Sequence, residues 1–326
     1  MPPLLVIAGL PDLSPALGPQ LPELPALNEL LRLGDTRAVD ADWRSGLLRD
    51  LGDNALGAEA PAAVAAAALP LPQGAAVCLA TPVHAVAGLS RVHLHAAGVL
   101  RLDAAHGAAF AAAFAAQFGD ELHLHAVGDG WLVEAACAAA ANDDDPLDLI
   151  GMPLERSAAR SPEQRQLRRF GAEIEMWLAG LPLNDERVRR GELPVNLLWL
   201  WGGGRVRIAA APRRHSPLRL HAAGNDAWMA GCAALCGAEL LPLPDTWDAV
   251  PQAQEAVIIL QANALTEAGQ WQRWDEQWFA PLLRDLRARR IEALRLRCGR
   301  RALHVRRRFW SAPWRRGRRW WRAATA

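Results

Sequence analysis

The stretch Leu4-Leu5-Val6-Ile7-Ala8 is a short run of apolar residues that is followed at once by Gly9 and Pro11. A continuous apolar run of this length, closed by turn-forming residues, is typical of a strand buried on both faces of a parallel sheet. Ala256–Gln261 has the same character in the second half of the chain. Both runs therefore predict central strands of a largely parallel sheet.

Working outward from these runs, the chain alternates between further strands and helices. The other predicted strands are Ala75–Ala80, Arg91–Ala96, Glu121–Ala126, Gly130–Glu134, Val195–Leu200, Arg290–Arg297 and Arg301–Arg308, and the main predicted helices are Pro25–Leu33, Asp103–Phe118, Ser161–Ala179, Trp228–Cys236 and Trp271–Arg289. Strands and helices that alternate at this spacing predict a three-layer α/β fold with a largely parallel sheet.

The chain is expected to divide into three regions. Residues 1–145 are predicted to form the N-terminal half of an α/β core, with Ala-rich helices and a small hairpin region. Residues 146–300 are predicted to form the C-terminal half, because the polar segment Asn142–Pro146 breaks regular structure and suits a linker. Residues 301–326 form a basic tail rich in Arg and Trp.

The tail differs sharply in charge from the rest of the chain. No acidic residue follows Glu292, whereas ten arginines occur from Arg300 onward; since the formal net charge of the whole chain is +1, the rest carries about nine net negative charges. Arginine interleaved with Trp suits nucleic acid such as RNA, through phosphate contacts and base stacking. It equally suits an anionic membrane surface. The third possibility is that the tail folds back onto the acidic body.

Composition sets the class of protein. About half of the residues are apolar and about a fifth are charged, which is typical of globular and not of disordered proteins. The five cysteines are scattered, so we expect small core residues and no disulfide framework. The amino terminus lacks the pattern of a secretory signal, and no apolar stretch approaches the ~20 residues that span a bilayer. We expect a cytoplasmic protein without a transmembrane segment.

A glycine triplet follows the predicted strand Val195–Leu200, after Trp201. Gly202, Gly203 and Gly204 would stand at the carboxyl end of that strand, followed by Arg205. In open parallel sheets ligands bind outside the strand ends, where glycine lets backbone amides approach a phosphate. With Asn196, these residues form a candidate anion cradle; the alternative is a tight turn with no ligand.

The segment Leu181–Gly204 resembles a block of the archaeal-type, metal-dependent, cofactor-independent phosphoglycerate mutases and their bacterial relatives, in which a "PVN…R…G…PAN" stretch precedes "WLWG.G". Gln261–Gln270 is similar to the family's "H-V-E-A-P-D-E-A-G-H", and Pro25–Leu31 resembles "PNLDRLA". The resemblance implies the fold of the alkaline phosphatase superfamily, with a parallel sheet, two divalent metals and a Ser or Thr nucleophile.

The metal-binding pattern of that family is altered in this chain. Thr266 and Gln270 stand where the resemblance places a metal-binding Asp and His, and the first strand is not followed by Asp-Gly. No Asp is followed by His anywhere in the chain, so the family's Asp-His ligand pair has no counterpart. Since divalent metals need deprotonated carboxylates and neutral imidazoles, the resemblance implies a degenerate core that holds no metal and no cofactor.

The nearest resemblance is to a proteobacterial group known as the RpfE-type regulatory proteins. Ala172–Met176 resembles the group's "N-E-I-Q-M", at the expected distance from the Leu181–Gly204 block, although Leu181 and Leu183 replace the usual His and Val. The resemblance implies a regulatory role.

Histidines form two further pairs that could bind metal. His93 and His95, and likewise His123 and His125, are two residues apart and so share one face of a strand. If the strands were neighbours, the four imidazoles could bind zinc. The alternative, which is favoured, is a solvated face.

Three functions remain in view. The first is a non-catalytic relative that binds a protein partner or a phosphate-containing ligand in regulation. The second is an active phosphoglycerate mutase or phosphohydrolase with rearranged metal ligands, which would need Asp12 and Glu267 to approach a hydroxyl such as that of Ser14. The third is a phosphate sensor built on Asn196, Gly202, Gly203, Gly204 and Arg205.

Overall fold

The computed structural model describes residues 3–8, 22–39, 42–51, 56–88, 91–150, 152–154, 158–207, 218–222, 224, 226–251, 256–261, 268–298 and 301–306. The strands are β1 (Leu4–Ala8), β2 (Asp35–Ala38), β3 (Ala76–Ala87), β4 (Val92–Val99), β5 (His123–Val127), β6 (Gly130–Glu134), β7 (Leu197–Arg205), β8 (Leu218–Ala222), β9 (Ala238–Pro242), β10 (Ala256–Gln261), β11 (Ala293–Cys298) and β12 (Arg301–Arg306). The α-helices are α1 (Pro25–Leu33), α2 (Trp43–Asp50), α3 (Pro61–Ala65), α4 (Ala104–Phe118), α5 (Pro162–Ala179), α6 (Pro182–Arg189), α7 (Ala227–Cys236), α8 (Ala268–Trp274) and α9 (Ala280–Arg287).

The chain forms two compact units whose segments are interleaved in sequence. Met1–Gly57, Arg214–Ala223 and Ala238–Ala326 form the parallel-sheet unit, and Ala58–Arg213 with Gly224–Gly237 forms the antiparallel-sheet unit. This partition differs from the predicted division between residues 145 and 146, which falls inside the antiparallel-sheet unit. A polar, structure-breaking segment indicates a loop, but it does not show whether the chain then leaves its domain.

The parallel-sheet unit confirms the predicted fold class. Its seven strands lie in the order β2-β12-β11-β1-β10-β8-β9. β1 pairs in parallel with β10 on one side and with β11 on the other, whereas β12 runs antiparallel between β11 and β2. Leu4, Leu5, Val6 and Ile7 are buried, as a central strand requires, because helices cover both faces of such a sheet.

The two faces of this sheet are covered by different helices. Leu5 and Ile7 point into a core that includes Trp271, Trp278 and Leu282 of the C-terminal helical segment, and α1 packs into the same core. On the opposite face, α2 packs on β1 and contacts Arg297 of β11. Helix, sheet and helix thus form the three predicted layers.

The predicted helix Trp271–Arg289 is confirmed with one irregularity. α8 and α9 are joined by a π-helical turn, Asp275–Phe279, and the helix continues to Arg287. Pro281 stands in the first turn after this segment, and a proline within a helix removes one backbone hydrogen bond and crowds the preceding turn. The widened turn is the expected accommodation of that proline.

The antiparallel-sheet unit contains a five-stranded sheet. Its strands follow the order β4-β3-β6-β5, and β7 pairs with β3. The predicted helix Asp103–Phe118 is confirmed as α4, since Asp103 caps it by accepting a hydrogen bond from the backbone N–H of His106 at 2.8 Å. Of the helices in the described segments, none has the length and hydropathy needed to cross a bilayer.

Candidate functional site

The end of β10 is the place where the resemblance puts a metal ligand. Gln261 closes β10 and is level with Ala8, the last residue of the parallel strand β1. Gln270 lies in the first turn of α8, and its side-chain Nε2 donates a hydrogen bond to the backbone oxygen of Gln261 at 3.4 Å. The carboxyl end of β10 is therefore lined by neutral amide groups.

The remaining residues of this candidate site are outside the described part of the chain. Thr266, the second degenerate metal position, and Asp12, Ser14 and Glu267 of the alternative enzyme all fall there. Within the described part, no three His, Cys, Asp or Glu side chains are close enough together to hold a metal ion.

The glycine triplet lies inside a strand instead of following one. β7 continues through the triplet to Arg205 and pairs antiparallel with β3, so the expectation of a parallel strand ending before the glycines is wrong. A side chain on Gly203 would begin 2.6 Å from the backbone oxygen of Ala138, and one on Gly204 would begin 2.6 Å from Cβ of Ala60. Gly203 thus permits close packing of backbone on backbone, and Gly204 leaves room for the side chain of Ala60.

Gly202 has an additional conformational reason to be glycine. Its φ of +63° is a left-handed conformation that residues with a side chain rarely adopt, and a Cβ there would also lie 2.9 Å from Cβ of Pro61.

The structure does not bring Asn196 to the glycines. Gly202 follows Asn196 by six positions, which is about 20 Å along an extended strand. The amide of Asn196 instead pairs with the backbone of Ala85, accepting from its N–H and donating to its oxygen, both at 2.8 Å. Arg205 is exposed, and its Nη1 donates to the backbone oxygen of Gly74 at 3.1 Å.

The block that carries the family resemblance fixes the chain before β7. The side chain of Asn184 donates to the backbone oxygens of Leu178 and Val195, at 2.9 and 2.8 Å, and accepts from the N–H of Val195 at 2.8 Å. Arg187 is buried; its Nε donates to the backbone oxygen of Leu193 at 2.9 Å, and its Nη1 lies 2.9 Å from a carboxylate oxygen of Glu192. These side chains have a structural role in this fold.

The hypothesis of a four-histidine zinc site is wrong. β4, with His93 and His95, does not pair with β5, with His123 and His125, because both β3 and β6 lie between them in the sheet order. His93 pairs with Val86 of β3. His125 pairs with Leu132 of β6, which in turn pairs with Leu79 of β3. Seven residues along β3 correspond to about 23 Å, which is far beyond the reach of one metal ion.

Two sets of buried titratable groups have structural roles. Asp275 accepts hydrogen bonds from the backbone N–H groups of Ala26 and Leu27, at 3.0 and 2.9 Å, and so caps α1 from the far end of the chain. Burial raises the pKa of the Asp275 carboxyl, although the two backbone donors oppose that shift.

All five cysteines are buried, as predicted, and burial raises the pKa of Cys298 to about 12. Such thiols are poor nucleophiles at neutral pH.

Comparison with known proteins gives matches in structure only. No protein-family model matches the chain, and no curated protein matches it in sequence. The cofactor-independent phosphoglycerate mutase from Thermoplasma acidophilum DSM 1728 is similar over 94% of this chain and 89% of its own, with 15% identity and a TM-score of 0.41. The PH0037 protein from Pyrococcus horikoshii is similar over 94% of this chain and 87% of its own, with 13% identity and a TM-score of 0.48.

Proposed function

We propose that this protein is a non-catalytic relative of the cofactor-independent phosphoglycerate mutases, of the RpfE type, which acts in regulation by binding a ligand or a partner. The observation that supports the proposal is the pairing of Gln270 with the backbone of Gln261 at the end of β10. The resemblance places a metal-binding imidazole at this position, and the chain has an amide whose nitrogen donates to a carbonyl.

An amide is not equivalent to the imidazole in a two-metal site. Two divalent ions held close together repel each other, and the enzymes that use them offset this charge with carboxylates and complete the coordination with the ring nitrogens of neutral imidazoles. Gln270 has no ring nitrogen, and its Nε2 carries hydrogens and is not a metal ligand, so only its carbonyl oxygen could bind a metal. Thr266 would contribute a neutral hydroxyl in place of a charged carboxylate. The proposal therefore predicts a protein without tightly bound manganese or zinc.

The test is elemental analysis of freshly purified full-length protein, combined with an assay of phosphoglycerate mutase activity in added Mn²⁺. We expect metal content far below one ion per chain and no activity. Two ions per chain, or turnover of phosphoglycerate, would instead support the alternative enzyme with rearranged ligands. The variant T266D/Q270H is the matched control, since it restores the two ligand types that the resemblance calls for.

The class of partner can be tested at the basic tail. Residues 307–326 are outside the described part of the chain, so the interpretation depends on their composition, in which Arg and Trp alternate. Deletion of residues 309–326, followed by retention assays on anionic liposomes and on RNA at two salt concentrations, separates the possibilities. Loss of liposome retention alone would indicate a membrane surface, and loss of RNA retention alone would indicate a nucleic acid. If retention on liposomes and on RNA were both unchanged by the deletion, the tail would have no part in either kind of binding.

A further inference from the structure

A cavity of about 310 Å³ opens in the parallel-sheet unit, beside the amino ends of β1 and β2. Its polar lining consists of Asp35, Arg37, Asp50, Arg295 and His304, and apolar residues of β1, β11 and β12 complete the wall. This volume is at the small end of the range of about 300–1,000 Å³ that is common for small-molecule sites. The cavity is therefore large enough for a compact metabolite.

The polar side chains belong to two adjacent rows across the sheet. Arg295 of β11 is level with His304 of β12, which is level with Asp35 of β2. In the next row on the same face, Arg297 and Arg37 stand on either side of Ala302. Residues level with one another on neighbouring strands point to the same side of a sheet, so three arginines share one face.

The carboxylate of Asp50, at the end of α2, accepts hydrogen bonds from two of these arginines. Its Oδ2 accepts from Nε and Nη2 of Arg297 at 3.1 and 2.8 Å, and its Oδ1 accepts from Nη2 of Arg37 at 3.2 Å. Nη1 of Arg295 donates to the backbone oxygen of the same Asp50 at 2.7 Å. The charge of Asp50 is thus already shared by two guanidinium groups.

Arg297 is the most deeply buried member of the group. The residue is 3% exposed, and its Nη1 has no hydrogen-bond partner among the described residues. A buried charge that is incompletely paired is costly, and a nearby negative charge reduces that cost. Among the described residues, this group consists of three arginines and two aspartates, Asp35 and Asp50, so their formal charges sum to +1.

We propose that this cavity binds a small organic phosphate, with Arg37 and Arg295 as the groups that contact it. A guanidinium matches a phosphate group with two parallel hydrogen bonds, and a phosphate dianion offsets the excess positive charge. The site stands at the end of the sheet opposite to Gln261 and Gln270. The inference depends on the cavity alone, so the metal analysis described above neither supports nor weakens it.

The test is isothermal titration of the full-length protein with inorganic phosphate and with glycerol 3-phosphate, at constant ionic strength. Malonate, a dicarboxylate, serves as the comparison anion. We expect both phosphate compounds to bind and malonate to bind more weakly. Absence of phosphate binding by the unmodified protein would overturn the proposal, and malonate binding as tightly as phosphate would overturn the assigned class of ligand.

The variant Arg37→Ala assigns the binding to this cavity. The Arg37 side chain is 71% exposed, so its truncation leaves the fold intact, which a thermal melt verifies. We expect phosphate binding to weaken by about tenfold or more, the usual effect of losing a hydrogen bond to a charged group. Arg205→Ala, which removes an exposed arginine from β7, is the matched control. Binding that is unchanged by Arg37→Ala but lost in Arg205→Ala would place the anion at the glycine strand and overturn the proposal.

Discussion

The two ends of the seven-stranded sheet differ in chemistry. At the carboxyl end of β10, the described residues present the amides of Gln261 and Gln270. At the amino ends of β1 and β2, aspartates and arginines line a cavity. In open parallel sheets ligands usually bind at the carboxyl ends of the strands. In this chain a cavity lined by charged side chains of the described residues lies at the opposite end of the sheet.

Removal of the shared carboxylate is the strongest test of this contrast. Asp50→Asn leaves the guanidinium of Arg297 buried without its counter-charge, and we expect a loss of about 3–5 kcal/mol in the free energy of unfolding. Urea denaturation measures the free energy of unfolding of each variant. Asp248→Asn, which breaks an ion pair with the exposed Arg284, is the control and should have a much smaller effect, because water screens exposed ion pairs. A loss for Asp50→Asn no larger than that of the control would mean that the charged end contributes little to stability.

The glycine strand offers a test of packing against ligand binding. Gly203→Ala places a Cβ 2.6 Å from the backbone oxygen of Ala138, and we expect it to cost about 1–3 kcal/mol of stability. Phosphate affinity should not change, because the proposed phosphate site lies in the cavity. Gly171→Ala, in α5 where a Cβ meets no atom within 4 Å, is the matched control and should stabilise by about 0.5–1 kcal/mol. Loss of phosphate binding in Gly203→Ala would instead support an anion site at the glycine triplet.

The buried carboxyl of Asp275 predicts a dependence of stability on pH. Its pKa in the folded protein is raised above the ordinary value of 3.8, so folding favours the protonated form. The resulting stabilisation is complete below that ordinary value and is lost as the pH rises through the higher pKa of the folded state. Asp275→Asn, measured by urea denaturation from pH 3.5 upward, should lose this part of the pH dependence. An identical pH profile would show that Asp275 titrates normally.

The smallest effect is expected at the neutral end of the sheet. Gln270→His alone should change the free energy of unfolding by no more than about 0.5 kcal/mol, since Gln270 is only partly buried and its hydrogen bond to Gln261 is long. It should also fail to confer stoichiometric Mn²⁺ binding, as one imidazole does not hold two metal ions. Equilibrium dialysis against Mn²⁺ measures the number of ions bound per chain. Tight binding by this single variant would show that the other ligands are still in place.

The prediction of the fold succeeded where residue patterns are local. The apolar runs Leu4–Ala8 and Ala256–Gln261, and the alternation in Arg290–Arg297 and Arg301–Arg308, marked β1, β10, β11 and β12. Pairing is a long-range property, and an apolar strand such as β7 has the same pattern in a parallel or an antiparallel sheet. For that reason the antiparallel position of the glycine triplet could not be deduced from the sequence.

The cavity was equally hidden from sequence reasoning. Asp35 and Asp50 precede Arg295 by more than two hundred residues in the chain, and they meet it through the strand order β2-β12-β11-β1 and the packing of α2 on β1. One local signal was present, because Arg295 and Arg297 alternate with apolar residues and therefore share a face of β11. Two arginines on the half-buried face of a strand require counter-charges, and that requirement could have prompted a search for partners.

The interleaving of the two units has a consequence for how this protein is made. β1 is synthesised before the other described strands, yet the strands that flank it, β10 and β11, follow only about 250 and 290 residues later. At about 5–20 residues per second, synthesis leaves this apolar strand without its neighbours for on the order of 10–50 seconds. The intervening segment Ala58–Arg213 can meanwhile complete most of its own unit. We therefore expect a chain truncated before β11 to expose β1 without its neighbour and to be prone to aggregation.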